Sequence, residues 1–461
     1  MKITIENFGP IHHCEFDLEK DFHLIVGENN VGKSYAVKII YHIVQTALHF
    51  NQISYSEMDQ TIVFFSRGVS INQENISKII ENSIISILNK TFVKDLHDAL
   101  INTFEGMSVF LNEFSGKNTI IKLDYENSIA NLGVVENQLS LLNFTFKRKV
   151  ILEYEQHAES NYTNAIIINY QKNNPQSKDT AILNFLTSSI WGFYSEVSGR
   201  ICSIDYIPAS RSGLYQVLSA FGQIIAELSK SRSFLTSKID LPGIPDPLSN
   251  YFIKLASIDT KNINDENSIL GKIAIQIERE ILKGKVIFDS NTKRLNFLPD
   301  NTNLKLDLST TSSMVSELSP IVTYLRYVLL QAQWIQGTIE TQIGKTERKP
   351  IIIIEEPETH LHPKIQIKLA EFFAALANGG VKMFITSHSN YIFNKSNNLI
   401  LGSKININKI EALVFKMTDK GSEGLVLNID ELGIDDENFL DSAEQLYNEK
   451  VELIQKLNAD V

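Results

Sequence analysis

The chain has 461 residues, 43% of them apolar and 21% charged, which is an ordinary globular composition with material for a large core and two or three domains. Its formal net charge of −11 argues against a dominant nucleic-acid-binding surface, which is usually basic, though not against a local one. Two cysteines, Cys14 and Cys202, cannot supply a disulfide framework.

The opening run Met1 to Phe8 alternates like a strand and lacks the apolar core and small-residue cleavage site of a signal peptide. No stretch approaches the roughly 18 uninterrupted apolar residues of a membrane span, so the expectation is a cytoplasmic protein with no membrane partner. Residues 1–45 read as strand, turn, strand, phosphate-binding loop and helix. The apolar run Phe22 to Val26 leads into Gly27-Glu28-Asn29-Asn30-Val31-Gly32-Lys33-Ser34, and a helix-like stretch begins at Tyr35. This is G-x-x-x-x-G-K-S in the context a P-loop requires. Its glycines let successive N–H groups and the helix N-terminus point at the β- and γ-phosphates. Lys33 adds a mobile positive charge and the Ser34 hydroxyl can ligate Mg²⁺. The expected nucleotide contacts are therefore Gly27, Asn29, Asn30, Val31, Gly32, Lys33, Ser34 and Tyr35, with ATP and Mg²⁺ as cofactors.

From about 46 to 115 the pattern turns helical and rich in Asn and Ser, with Ile79, Ile80, Ile84, Ile85 and Ile87 spaced for an amphipathic face. Strands are expected at Thr119 to Tyr125, Leu141 to Phe146 and Ala165 to Tyr170. With no nucleotide or metal signature, this block reads as an insertion. The basic clusters Lys147-Arg148-Lys149 and Lys230-Ser231-Arg232 are short and read as solvated faces. A strand returns at Cys202 to Pro208, followed by Ala209-Ser210-Arg211-Ser212-Gly213 and a mainly helical arm from Gln216 to about Leu282. Lys285 to Asp289 and Arg294 to Leu298 form a hairpin across Ser290-Asn291-Thr292-Lys293. After Leu304 to Leu308, the Thr/Ser run 309–313 supplies N-cap candidates for a helix carrying Leu318, Ile321, Val322, Leu325 and Leu329 on one face. Gln336 to Lys349 reads as a loop, and the chain ends in an amphipathic helix around Leu446 to Leu457.

Ile351-Ile352-Ile353-Ile354-Glu355-Glu356 is a buried parallel strand by composition that runs out into two carboxylates. Paired acids at the end of an apolar strand need a cation, and Mg²⁺ beside a phosphate supplies one. Glu355 would join the Mg²⁺ shell through water, and Glu356 would orient or deprotonate the attacking water. Some thirty residues on, Met383 to Ser389 is another short strand ending at His388, placed as the next βαβ unit should be. His388 could then donate a hydrogen bond to the γ-phosphate. His360-Leu361-His362 and His12-His13-Cys14 fall short of a zinc site in both ligand count and spacing.

The order of these motifs, ending in E-E-P-E-T-H-L-H-P and T-S-H-S, resembles the ABC-type ATPases of the recombination and chromosome-maintenance class. Within it, the chain is most similar to ATPases of overcoming-lysogenization-defect nucleases and of bacterial antiphage systems, including the phage-anti-restriction-induced defence type. The resemblance implies an α/β P-loop NTPase head of ABC type, with a mixed sheet flanked by helices, a helical arm and an α+β insertion. The implied division is 1–45 first ATPase lobe, 46–195 insertion, 196–215 return to the core, 216–283 helical arm, 284–430 second lobe and 431–461 helical tail. It further implies a homo-oligomer in which ATP is sandwiched between two heads. The Ser-rich signature would be Thr311 to Leu318, with Ser312 or Ser313 reaching the partner's phosphate; the family usually has Gly where Met314 stands. Pro357-Glu358-Thr359-His360 resembles the loop through which paired subunits sense each other. Tyr206 to Arg211 resembles a segment entering the phosphate side, so Arg211 either contacts phosphate or a partner, or forms a surface ion pair. The family normally has Asp where Glu355 stands, with Glu a tolerated variant.

The related nucleases carry a C-terminal metal-dependent domain with an Asp-x-Asp pair, and nothing after His388 matches it. Three functions stay open. The first is an ATP-hydrolysing sensor or scaffold of an antiphage system that restrains a separate effector, a nuclease or toxin, until a trigger such as a phage protein appears. The others are a repair or recombination ATPase acting on DNA, and a nucleotide-gated binding protein that barely hydrolyses ATP.

Overall fold

Three apolar segments with no alternation, Phe22–Gly27, Lys349–Glu355 and Lys382–Ser387, are buried on both faces and form the centre of one sheet. The structure is a computed structural model that describes residues 1–49, 75–154, 165–171, 175–215, 244–290, 294–330, 339–341, 344–346, 348–435, 447–452 and 455. Its strands are β1 (Lys2–Phe8), β2 (Ile11–Asp17), β3 (Phe22–Gly27), β4 (Ile120–Asp124), β5 (Ser128–Val135), β6 (Gln138–Phe146), β7 (Lys149–Tyr154), β8 (Ala165–Tyr170), β9 (Ile201–Ile207), β10 (Gly284–Asp289), β11 (Arg294–Pro299), β12 (Leu306–Asp307), β13 (Ile339–Thr341), β14 (Gly344–Thr346), β15 (Lys349–Glu355), β16 (Lys382–Ser387), β17 (Ile410–Thr418) and β18 (Gly421–Val426). The helices used below are α1 (Lys33–His49), α2 (Ile76–Lys90), α3 (Phe92–Phe104), α4 (Pro175–Ser198), α5 (Asp246–Ala256), α6 (Ile269–Gln276), α7 (Ser313–Thr323), α8 (Pro363–Asn378) and α9 (Asn390–Leu401).

The main sheet has eleven strands in the order β6-β5-β4-β1-β2-β18-β17-β3-β16-β15-β9. Neighbours from β9 through β15, β16 and β3 to β17 are parallel, whereas β17–β18 and the run β2-β1-β4-β5-β6 pair antiparallel, so the sheet is mixed. Strand periodicity divides the isoleucines of β15 between two cores. Ile351 and Ile353 join Ile25, Phe384 and the α1 residues Ile39, Ile40 and Ile43 on one face. Ile352 and Ile354 join Leu24, Val26, Met383 and Ile385 against Leu369 and Phe373 of α8 and Ile392 and Phe393 of α9 on the other. This two-sided cover by helices is what makes long apolar strands affordable in water.

Most expected elements lie where the pattern put them, including β4, β6, β8, β9 and the β10–β11 hairpin. The helical face of α2 is Ile76, Ile80, Ile84 and Ile87, with Ile85 only partly buried. β4 to β6 continue the main sheet by pairing with β1. Leu318, Ile321, Val322, Leu325 and Leu329 are all buried, and α7 widens into a π-turn over Tyr324–Val328. Within the expected loop 336–349 the described residues differ from the expectation: β13 and β14 pair antiparallel, because Ile339, Thr341 and Thr346 suit extended backbone and can satisfy it by pairing. The arm's first part, 216–243, lies outside the described residues, and of the expected C-terminal helix the described residues 447–452 and 455 are helical.

At the N-terminal end of the parallel strands, one carboxylate ties three of them together. Asp21, just before β3, accepts from Lys349 at 2.8 Å, Lys382 at 3.1 Å and Lys409 at 3.1 Å. Burial alone would raise the Asp21 pKa, but these three ammonium groups overcome it and hold the carboxyl at about 2, against an ordinary 3.8. With the side chain only 8% exposed, that depression corresponds to about 2 kcal/mol of stability. Asp21→Asn is expected to lower the Tm by about 2–4 °C at pH 7, checked by thermal unfolding. Because the folded pKa is depressed, the gap between parent and variant is fully present above pH 3.8 and closes as the pH falls towards about 2.

Candidate nucleotide site

Register brings the three functional strand ends together. Glu355 pairs with Thr386, Thr386 with Ile25 and Ser387 with Val26, so the loops leaving β15, β16 and β3 open on one edge of the sheet. Crevices at the carboxyl ends of parallel strands are where such folds bind ligands. The loop after β3 needs its first glycine for two reasons: Gly27 has φ +140°, and a Cβ there would lie 2.4 Å from the Phe415 carbonyl oxygen of β17. Asn30 and Gly32 also take positive φ, which curls the chain so that α1 begins at Lys33.

Within the loop, Glu28, Asn29 and Asn30 are exposed, Val31 is buried and Ser34 is half-buried at the helix start. Tyr35 lies at the rim with its ring 4.8 Å from that of Phe104. Lys33 is only 5% exposed, and its ammonium donates to the Gly27 carbonyl at 3.0 Å and the Glu28 carbonyl at 2.6 Å. Burial lowers its pKa to about 8, with Glu356, Glu358 and Glu355 resisting the fall. The ammonium also lies 3.3 Å from His388 Nδ1. An ammonium has only donors, so Nδ1 accepts and the neutral ring carries its proton on Nε2, which faces Glu356 Oε1 at 3.4 Å. Lys33, His388 and Glu356, from three separate stretches of sequence, thus form one chain of contacts.

Glu356 is set by its backbone. Its φ of 42° turns the chain out of β15, and its N–H donates to the Thr386 carbonyl at 3.0 Å. The hydrogen bond from His388 holds its carboxyl below the ordinary range against the effect of burial, and Lys33 and Thr359 add to this. It therefore stays ionised at neutral pH. Glu355 points into the interior at 6% exposure; Tyr206 donates to its Oε2 at 2.5 Å, while its Oε1 is buried without a partner. A buried carboxylate oxygen left unsatisfied, with the Ser34 hydroxyl on the neighbouring loop, is a donor set of the hard-oxygen kind that suits hydrated Mg²⁺.

Two contacts were not legible from the motifs. Glu358 accepts from the His388 N–H at 2.5 Å and from Ser387 Oγ at 3.0 Å, which fixes the loop bearing the imidazole. Arg211 is no surface ion pair: its guanidinium is 0% exposed, donates to the Glu317, Pro208 and Glu355 carbonyls, and forms a buried ion pair with the Glu317 carboxylate. Ser312 occupies the N-cap position of α7 with no side-chain cap bond, and both it and Ser313 are exposed. His362 Nδ1 instead caps α8 by accepting from the Lys364 N–H at 3.3 Å. Among the described residues no group of three or more His, Cys, Asp or Glu is placed to hold a metal, and no helix is long and apolar enough to cross a membrane.

The fold is thus an α/β P-loop NTPase with a large mixed sheet flanked by helices. Residues 1–393 match the family described as AAA ATPase domain, and the chain belongs to that family: it is an ATPase, binding and hydrolysing ATP. Among solved structures it is similar to an Smc head bound to the C-terminal winged-helix domain of ScpA, at 11% identity, 93% of this chain, 98% of that one and TM-score 0.39. It is also similar to the SMC head domain from Thermotoga maritima, at 7% identity, 93% and 98% coverage and TM-score 0.35. No curated protein matches the chain.

Gly27→Ala is expected to cost about 2–4 kcal/mol and to abolish ATP binding, since both the φ and the Phe415 carbonyl oppose a Cβ. Thermal unfolding and nucleotide titration check this; unchanged values in both would contradict it.

Proposed function

We propose that this ATPase works as paired heads, and that ATP-dependent pairing controls a separate effector chain, in the antiphage-defence role that its motif order resembles. The observation that carries the proposal is the contact chain Lys33–His388–Glu356 beside the partnerless oxygen of Glu355. In this reading the backbone of Gly27 to Ser34 wraps the phosphates, with Asn29, Asn30, Val31 and Gly32 offering N–H groups and Tyr35 bordering the site. Lys33 trades its carbonyl acceptors for phosphate oxygens. Ser34 and Glu355 would hold Mg²⁺, which would supply positive charge against the triphosphate. Glu356, kept ionised, takes the proton of the attacking water, and His388 donates from Nε2 to the γ-phosphate once Glu356 swings to the water.

A single head leaves the far side of the triphosphate uncovered. Ser312 and Ser313 suit that task in a second copy: they sit exposed at the N-terminus of an 11-residue helix, with the Ser312 hydroxyl uncommitted to capping. The net charge of −11 favours a protein partner over DNA as the element controlled.

Glu356→Gln is expected to lower ATP turnover at least ~100-fold while ATP-stabilised association persists, read by a phosphate-release assay and by light scattering with and without ATP. Full turnover in the variant, or a parent that stays monomeric with ATP, contradicts the proposal. Copurification of the chain with the products of its neighbouring genes tests the effector part. Tyr206→Phe, which frees the second Glu355 oxygen, is expected to raise the half-saturating Mg²⁺ concentration about tenfold with little change in Tm. An unchanged Mg²⁺ dependence would remove Glu355 from the metal shell.

A further inference from the structure

Arg211 stands between the two parts of the site that a nucleotide would touch from opposite sides. Its Nε donates to the Glu317 carbonyl and lies near the Glu317 carboxylate, both at 3.2 Å. Its Nη1 donates to the Glu355 carbonyl at 2.9 Å and its Nη2 reaches the Glu356 carbonyl at 3.4 Å. Ser212 Oγ holds the other Glu317 oxygen at 2.5 Å. Glu317 is 1% exposed and lies in α7, the helix that starts at Ser313 behind its N-cap Ser312. Glu356 is the residue whose φ of 42° aims the carboxylate at His388.

We propose that Arg211 is a positioning residue that makes the placement of Glu356 follow that of α7, so that anchoring Ser312 and Ser313 at a phosphate is felt at the general base. The proposal rests on the reading of Ser312 and Ser313 given above. The physical case is that a helix moves as a unit, so displacing its first turn displaces Glu317. A fully buried guanidinium bonded to carbonyls on both sides then has no solvent with which to replace lost acceptors. It can keep its bonds only if the Glu355 and Glu356 carbonyls move too. A buried ion pair is a poor device for stability, since an apolar pair of similar volume is often as stable, which leaves geometric specification as its use here.

The test follows from the same point. The double variant Arg211→Met/Glu317→Leu removes both charges together, so that neither is left buried alone. Its Kd for ATP is expected to stay near the parent's, with KM within about twofold, while kcat falls at least tenfold. Ser312→Ala is expected to lower kcat in the parent and to have no further effect in the double variant. Should the double variant not fold, Arg211→Gln/Glu317→Gln, which also removes both charges together, carries the same comparison. An unchanged kcat overturns the proposal, as does a kcat loss matched by equal losses of ATP affinity and Tm, the mark of a merely structural residue. If Ser312→Ala lowers kcat by the same factor in both backgrounds, the proposal fails while paired heads stand. If it has no effect in the parent, the reading of the helix start fails and the proposal with it.

Discussion

The whole site depends on one buried cation. The Lys33 ammonium is almost entirely withdrawn from water, and it keeps its charge only because two carbonyls, an imidazole nitrogen and three nearby glutamates surround it. That requirement places the strands: β16 must lie between β3 and β15 for His388 to reach both Lys33 and Glu356. The register among these three strands delivers it, and the two apolar faces of the sheet fix the register, since a slip by one residue would turn Ile351 and Ile353 away from α1.

The opposite end of the same strands obeys the same rule with the signs reversed. There one buried carboxylate, Asp21, gathers lysines from the starts of β15, β16 and β17. Charge at both ends of an uncharged apolar core makes strand ends, not strand middles, the places where sequence specifies position. It also leaves the C-terminal end free to exchange its internal contacts for a ligand, because Lys33 and His388 are held there by a few bonds rather than by packing.

What the sequence disclosed was local in character. The loop from Gly27 to Ser34, the apolar strand ending in Glu355 and Glu356, and the strand ending at His388 each read directly from residue type and spacing. What it hid depends on packing between distant segments. Tyr206 reads as one more apolar strand residue, yet its hydroxyl is committed to Glu355, 149 positions away. Arg211 reads as a surface, partner-contacting or phosphate-contacting cation because arginine is rarely buried; only the fold reveals that it is buried between carbonyls of α7 and β15. Glu358 was visible as part of a motif, but its grip on the His388 N–H needed the fold. The pairing of β13 and β14 was masked by polar residues that resemble a loop in composition.

The most direct test is a high-resolution structure of the chain with Mg²⁺ and a non-hydrolysable ATP analogue. The account predicts a γ-phosphate within hydrogen-bond distance of both Lys33 Nζ and His388 Nε2, Mg²⁺ on Ser34, and a water between Glu356 and the phosphorus. A nucleotide bound elsewhere, or a Glu356 carboxylate with no path to the γ-phosphate through one water, would contradict it.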